Sequence, residues 1–407
     1  MKLSENEKKI FDLWKKVSPA SAYTEGIEEC AGLLFIPTEE NMHRAVESVR
    51  LIRPANDSEQ TFLASLETSL QFTEPYMIPE TIAGTLYRYL VKNAPRHAIE
   101  NILKEARRML TAVDYLFKKH WTPEIDTMTI NNCNSLLEIL SVIKTQGFDV
   151  ADVEAKTKAF QKKFTGVSGG FETVLPFLEK NGEGFGREDT YTDILEKVYC
   201  YPERADEIEE RALGWLVKEL PTFHSLSMQL AEKFDCETTV ASVLQALEKK
   251  YAIDAGNVIT FITALRQKVQ TVVENHLVDI DAAYNVRILE TPTYLRTFIP
   301  SAAMTTFDTF TTKPTALFYI TTAQIHGIDA LQALIHEEYG HCVNYINSAV
   351  RAENFVEKIP SALSIPVTEG ISFNREKEFL SLCKELTNST PRGTDKDMLD
   401  YFDKIMG

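Results

Sequence analysis

Ala333-Leu334-Ile335-His336-Glu337-Glu338-Tyr339-Gly340-His341-Cys342-Val343 is the stretch on which the reading of this 407-residue chain turns. A helix carrying His-Glu-x-x-His sets two imidazoles on one face, where they hold Zn²⁺. The Glu beside the first His then lies close enough to take a proton from a water at the metal. Here the second His follows the first by five residues instead of four. At about 100° per residue, five residues put the two rings about 140° apart around a regular α-helix, against about 40° for four. Two local departures would bring them together. A π-bulge widens the turn so that i and i+5 align. A kink at Gly340 would offer His341 from outside the helix. Glycine just before His341 suits both.

Catalytic zinc needs a third protein ligand and an open position. Downstream of His341 the candidates are Glu353, Glu357, Glu369 and Glu376. Glu369 is placed best, opening a helix after Pro366. Glu376 lies seven residues on, hence on the same face, where it could accept a hydrogen bond from a ligand imidazole. From the residues alone, an ordinary acidic helix start accounts better for Glu369, and a solvated face for Glu376.

Outward from this stretch the texture divides the chain. Residues 285–322 are rich in Thr, Phe, Tyr and Ile with interspersed Pro, which predicts short strands and loops. The clearest strand is Ala316–Thr322. Helices are expected from about Ile328 to Val350 and from about Val367 to Leu386, and the stretch TNSTPRGTDKD loosens into a linker. Before residue 284 the pattern is helical almost throughout. Ile99, Ile102, Leu103, Ala106, Met109, Leu110, Val113, Leu116 and Phe117 trace one stripe of period 3.6 behind Pro95. Val258, Ile262, Leu265, Val269, Val272 and Leu277 trace another, and both read as core-facing. The glycine-rich stretches 165–170 and 181–187 lack phosphate-loop spacing and read as turns. The expected organisation is a helical scaffold over 1–284, a catalytic region over 285–386, and a linker with a short C-terminal segment over 387–407.

Composition narrows the function. With 43 Lys+Arg against 59 Asp+Glu, the net charge of −16 removes the electrostatic footprint of a nucleic-acid binder and disfavours an anionic membrane surface. Seventeen glycines and sixteen prolines are few for this length, which favours helices. No apolar run reaches the roughly 20 residues that span a bilayer. The six cysteines form no CxxC pair, so neither a zinc knuckle nor a disulfide framework is expected. The first residues, MKLSENEKKIFDLWKKVS, lack a signal-peptide core, and the expectation is a cytoplasmic protein. Nothing in the sequence sets an oligomeric state.

The pair HEEYGH and TEGISFNRE resembles a bacterial family of uncharacterised zincin-like proteins. Its members carry His-Glu-x-x-Pro-Gly-His-His and, later, Glu-Gly-Trp-Ala-Leu-Tyr-Ala-Glu. Gly340-His341 matches the Gly-His of the first motif with the proline deleted, and Cys342 stands where the family has a second His. Glu369-Gly370 and Glu376 match the start and close of the second. Phe318-Tyr319-Ile320 resembles the strand before the family's active helix, and Gly186-Arg187-Glu188 a further family segment. Relatives continue well past the second motif into a further helical segment, whereas 38 residues follow Glu369 here; on that count the chain is expected either to lack part of the machinery or to be a fragment.

The resemblance implies a mainly α, gluzincin-type peptidase with a small strand region beside the active helix. His336, His341 and Glu369 would hold Zn²⁺, Glu337 would be the general base, and Glu376 would support a ligand. Tyr319 and its strand are expected to bind the peptide substrate as an added strand. Tyr319, His326, Tyr339 and Tyr345 are the options for an oxyanion donor. Two rivals stand beside this: a degenerate zincin that binds without cleaving, and a metal-dependent hydrolase of a non-peptide amide or ester.

Overall fold

A computed structural model describes residues 3–71, 73–118, 123–164, 198–296, 301–311, 313–322, 325–360 and 364–388, with a few isolated residues between them. Both glycine-rich stretches, the Gly186-Arg187-Glu188 segment and the tail beyond Asn388 lie outside the described residues.

The chain is mainly α with one small sheet, as its periodicity predicts. Eight helices form an N-terminal body: α1 Glu5–Val17, α2 Pro19–Thr24, α3 Glu39–Leu51, α4 Asp57–Gln71, α5 Met77–Val91, α6 Arg96–Ala112, α7 Pro123–Thr145 and α8 Ala151–Gln161. The α6 stripe is buried as expected: Ile99, Ile102, Leu103, Ala106, Met109 and Leu110 are each at most 5% exposed. Val113 and Leu116 carry it past the helix end into a 3₁₀ turn. Each such aliphatic contributes about 1.5–3 kcal/mol on leaving water, which fixes the helix against its neighbours. Three further helices follow, α9 Ala205–Phe234, α10 Val240–Lys250 and α11 Val258–His276. The second predicted stripe lies on α11, where Val258, Ile262, Leu265, Val269 and Val272 are buried and Leu277 just beyond is partly so.

The sheet has β1 Asn285–Glu290, β2 Ala302–Phe307 and β3 Thr315–Ile320 in the order β1-β3-β2. β1 runs parallel to β3, with Val286 opposite Ala316, and β2 antiparallel to it, with Met304 opposite Phe318. β3 therefore has a strand on each side. Its unbroken apolar run follows from burial on both faces. Leu317 and Tyr319 point into the core of the N-terminal body, while Phe318 and Ile320 point into a second core with α11. Although α11 precedes the expected boundary at residue 284, it packs in the layer that carries the motif helix.

That layer is one continuous helical rod from Gly327 to Arg351: α12 Gly327–Leu334, a π-helical segment Ile335–Cys342, and α13 Val343–Arg351. α14, Ile365–Asn388, lies against the π-helical segment and places the second motif beside the first.

Candidate metal centre

The five-residue spacing is resolved by the first of the two repairs. Ile335–Cys342 is π-helical, and the N–H of Val343 reaches back five residues to the Glu338 carbonyl. His336 and His341 thereby share a face, with ring centroids 4.9 Å apart and planes at 77°. Gly340 serves a different end from the kink considered for it. A Cβ on this residue would fall 2.6 Å from Cα of Ser372 on α14, so the missing side chain lets two backbones meet.

Through that contact α14 delivers Glu369. Its Oε2 lies 3.2 Å from Nε2 of His336, and its Oε1 lies 3.3 Å from Nε2 of His341. Donor atoms of all three residues fall within 4.8 Å of one another. Zinc bonds of about 2.1 Å in a tetrahedron would put neighbouring donors about 3.4 Å apart. The two nitrogens and the carboxylate therefore match the chemistry and the span that zinc requires.

Glu376 stands behind the ligands. Its Oε1 is 2.6 Å from Nδ1 of His336, and its Oε2 accepts from Gln332 Nε2 at 2.7 Å. With Nδ1 engaged, Nε2 is the nitrogen left to face the ligand cluster. Glu337, predicted as general base, accepts the backbone N–H of Met304 at 2.8 Å. Burial pushes its carboxyl up to about 7, with the charges of Glu369 and Glu376 adding to the effect. His341 moves the opposite way, since burial disfavours its imidazolium. A cleft of about 360 Å³ opens here, lined by Ala302, Gln332, His336, Glu337, Phe373 and Glu376 among others.

Tyr319 does not reach this cleft. It is 1% exposed and packs edge-on to Tyr87, 5.6 Å between ring centroids, in the core of the helical body. Its strand has no free edge either, because β1 and β2 occupy both sides. β1 and β2 are the two edge strands, and β2 is the one that meets Glu337. Thr321 donates to the Ser301 carbonyl, so in an antiparallel pair the next outward-facing amides belong to Ala302, Met304 and Thr306. The Met304 amide meets Glu337 on that free edge.

The other tyrosine and histidine options separate. Tyr339 is fully buried in the second core, and His326 caps α12 beside Asp329. Tyr345 lies four residues beyond His341 on the same rod, half-buried and one turn from the ligands. Cys342 faces away, buried beside Ala316 and Ile346, where burial pushes its thiol up.

Sequence reasoning missed the residue that anchors the π-helical segment. Glu338 is fully buried, and Arg266 of α11 grips both its oxygens at 2.6–2.9 Å. The Tyr284 hydroxyl donates to it at 2.8 Å. In the sequence Glu338 is only an acidic residue next to Glu337, with nothing local to mark it. Its partner lies 72 residues away, beyond any local pattern.

No family model matches the chain, and no curated protein matches it. Among solved structures it is similar to one described as "a putative lipoprotein of unknown function" from Shewanella oneidensis. The two are 14% identical with a TM-score of 0.55, over 97% of this chain and 79% of that one. The likeness is one of fold.

Proposed function

We propose that this protein is a zinc-dependent peptidase. The observation that carries the reading is the convergence of His336, His341 and Glu369 on one point, with Glu376 orienting His336 and Glu337 beside them. Zinc bound there would supply Lewis acidity, polarising a scissile carbonyl and making a water acidic enough to lose its proton near neutral pH. Glu337 takes that proton. Its raised carboxyl pKa suits a group that must accept a proton and then return it to the leaving amine. The Met304 amide fixes the carboxylate while this happens. The free edge of β2 holds an extended peptide across the cleft, which favours peptides over small amides or esters.

Metal analysis tests the reading most directly. Near-stoichiometric zinc is expected after gentle purification. Glu337→Gln is expected to abolish peptide hydrolysis while zinc content stays nearly unchanged. A protein that holds no zinc at micromolar supply would not be this enzyme. Retained zinc without hydrolysis of any peptide would instead favour a zincin that binds without cleaving.

A further inference from the structure

Helix α5 buries Ile82, Leu86 and Tyr89 completely, but another of its faces is left unpacked. Glu80, Gly84 and Arg88 follow at steps of four along it, so they line one side of the helix. A Cβ on Gly84 would meet nothing within 4 Å, which marks open space between Glu80 and Arg88. Arg88 is half-buried there, and burial pushes its guanidinium down. Among the described residues the guanidinium makes no hydrogen bond and no ion pair. Its nitrogens keep some contact with solvent, and with no protein partner their fork of five donors is open to a bidentate oxyanion.

Two carboxyls lie within reach of its charge, Glu25 and Glu80. Neither satisfies it. Glu25 is 7% exposed and accepts the N–H and hydroxyl of Thr309. Burial pushes the carboxyls of both Glu25 and Glu80 up, away from the charged form.

The position connects to the metal cluster by two routes. Thr309 lies just beyond β2, the strand whose Met304 amide holds Glu337. Tyr345, one turn beyond His341, also feels the charge of Glu25. Its hydroxyl is buried next to Thr309, the residue that donates to Glu25. Both routes from the candidate ligands lead to Glu25, whose charge Arg88 also feels.

We propose that Arg88 anchors a carboxylate of the substrate, seated in the open space over Gly84 and bound by paired N–H···O bonds. The carboxylate belongs either to the chain terminus or to an acidic side chain of a peptide lying along β2. As a statement about substrate class, this rests on the peptidase reading.

The test uses the full chain carrying Glu337→Gln, so that bound peptide is not consumed. Binding is measured by calorimetry for acetyl-trialanine, for its carboxamide, and for a carboxamide in which one alanine is replaced by glutamate. At least one carboxylate-bearing peptide is expected to bind ~10-fold or more tightly than the neutral amide. Tight binding of acetyl-trialanine identifies the chain terminus, and of the glutamate peptide the side chain. Adding Arg88→Gln is expected to remove the preference while leaving the neutral amide unchanged.

Gly84→Leu provides a second variant, since its side chain enters open space and leucine favours a helix over glycine. It is expected to weaken the carboxylate-bearing peptides even where Arg88→Gln fails to fold. Equal binding of all three peptides overturns the proposal, as does a preference that survives both variants. Failure of the peptidase reading looks different: zinc or hydrolysis is missing while the preference for carboxylate persists on the metal-free chain.

Discussion

Gly340 and Ser372 bring two helices into backbone contact. The space a Cβ would take at Gly340 ends 2.6 Å from Cα of Ser372, which is itself fully buried. One helix carries His336 and His341, and the other carries Glu369 and Glu376. The separation of the two helices therefore sets the distance between the candidate ligands.

Gly340→Ala is expected to force the helices apart and loosen the cluster. Zinc affinity should fall by an order of magnitude or more, because a donor displaced by several tenths of an ångström leaves the bonding range. Competition against a chelator measures it. Affinity equal to that of the unaltered protein would mean that α14 can yield without moving Glu369.

Glu376→Gln should weaken zinc binding about 10- to 100-fold, the usual effect of removing a carboxylate behind a ligand imidazole. The fold should be little changed, since Glu376 makes its bonds only to Gln332 and His336 among the described residues. A melting curve measured without metal checks that part.

Arg266→Ala should be strongly destabilising. It leaves the fully buried Glu338 charge without its bidentate partner, a loss of about 3–5 kcal/mol where such pairs are broken. Replacing both residues together, as Arg266→Met with Glu338→Leu, should recover much of it, because packed apolar groups carry no desolvation cost. Denaturant unfolding of the single and double variants distinguishes a pair that stabilises from one that mainly sets the orientation of the rod.

Glu7 gives the fold an acid-sensitive fastening. Its carboxylate accepts the N–H of Phe355 at 2.7 Å and of Ser4 at 2.8 Å, and these bonds hold its carboxyl below the usual range. A carboxyl depressed in the folded state adds stability that is fully present above its unfolded pKa of about 4.3 and is lost as pH falls through the folded value. Glu7→Gln should therefore lower the melting temperature at pH 7 and lower it much less at pH 3. A gap that does not narrow in acid would show that the charge of Glu7 contributes nothing.

Much of this was legible in the chain. The stripes of α6 and α11 have the helical period, and their members are buried in those helices. The candidate site residues are legible because His336, Glu337 and His341 lie within one short stretch, while Glu369 and Glu376 share a helix face. The five-residue spacing already required a distorted turn, and a π-helical segment is present. What failed was pairing. Ala316–Thr322 reads as a strand from its own residues, but its central position depends on β1 and β2, which nothing within it encodes. Tyr319 was misplaced for that reason, and the edge beside the candidate site belongs to β2 instead. Glu338 was passed over because its meaning lies on α11, and Arg88 because the open space beside it at Gly84 is visible only in three dimensions.

Tyr319 and Phe318 are adjacent, yet one belongs to the core of the N-terminal body and the other to the core beneath the motif helix. A strand shared in this way cannot come loose from one core without disturbing the other. The two halves should melt in a single transition, with no state in which the helical body survives alone. Metal bound on one side of the sheet would then protect amide hydrogens on the other, so that α6 exchanges more slowly although it touches no ligand.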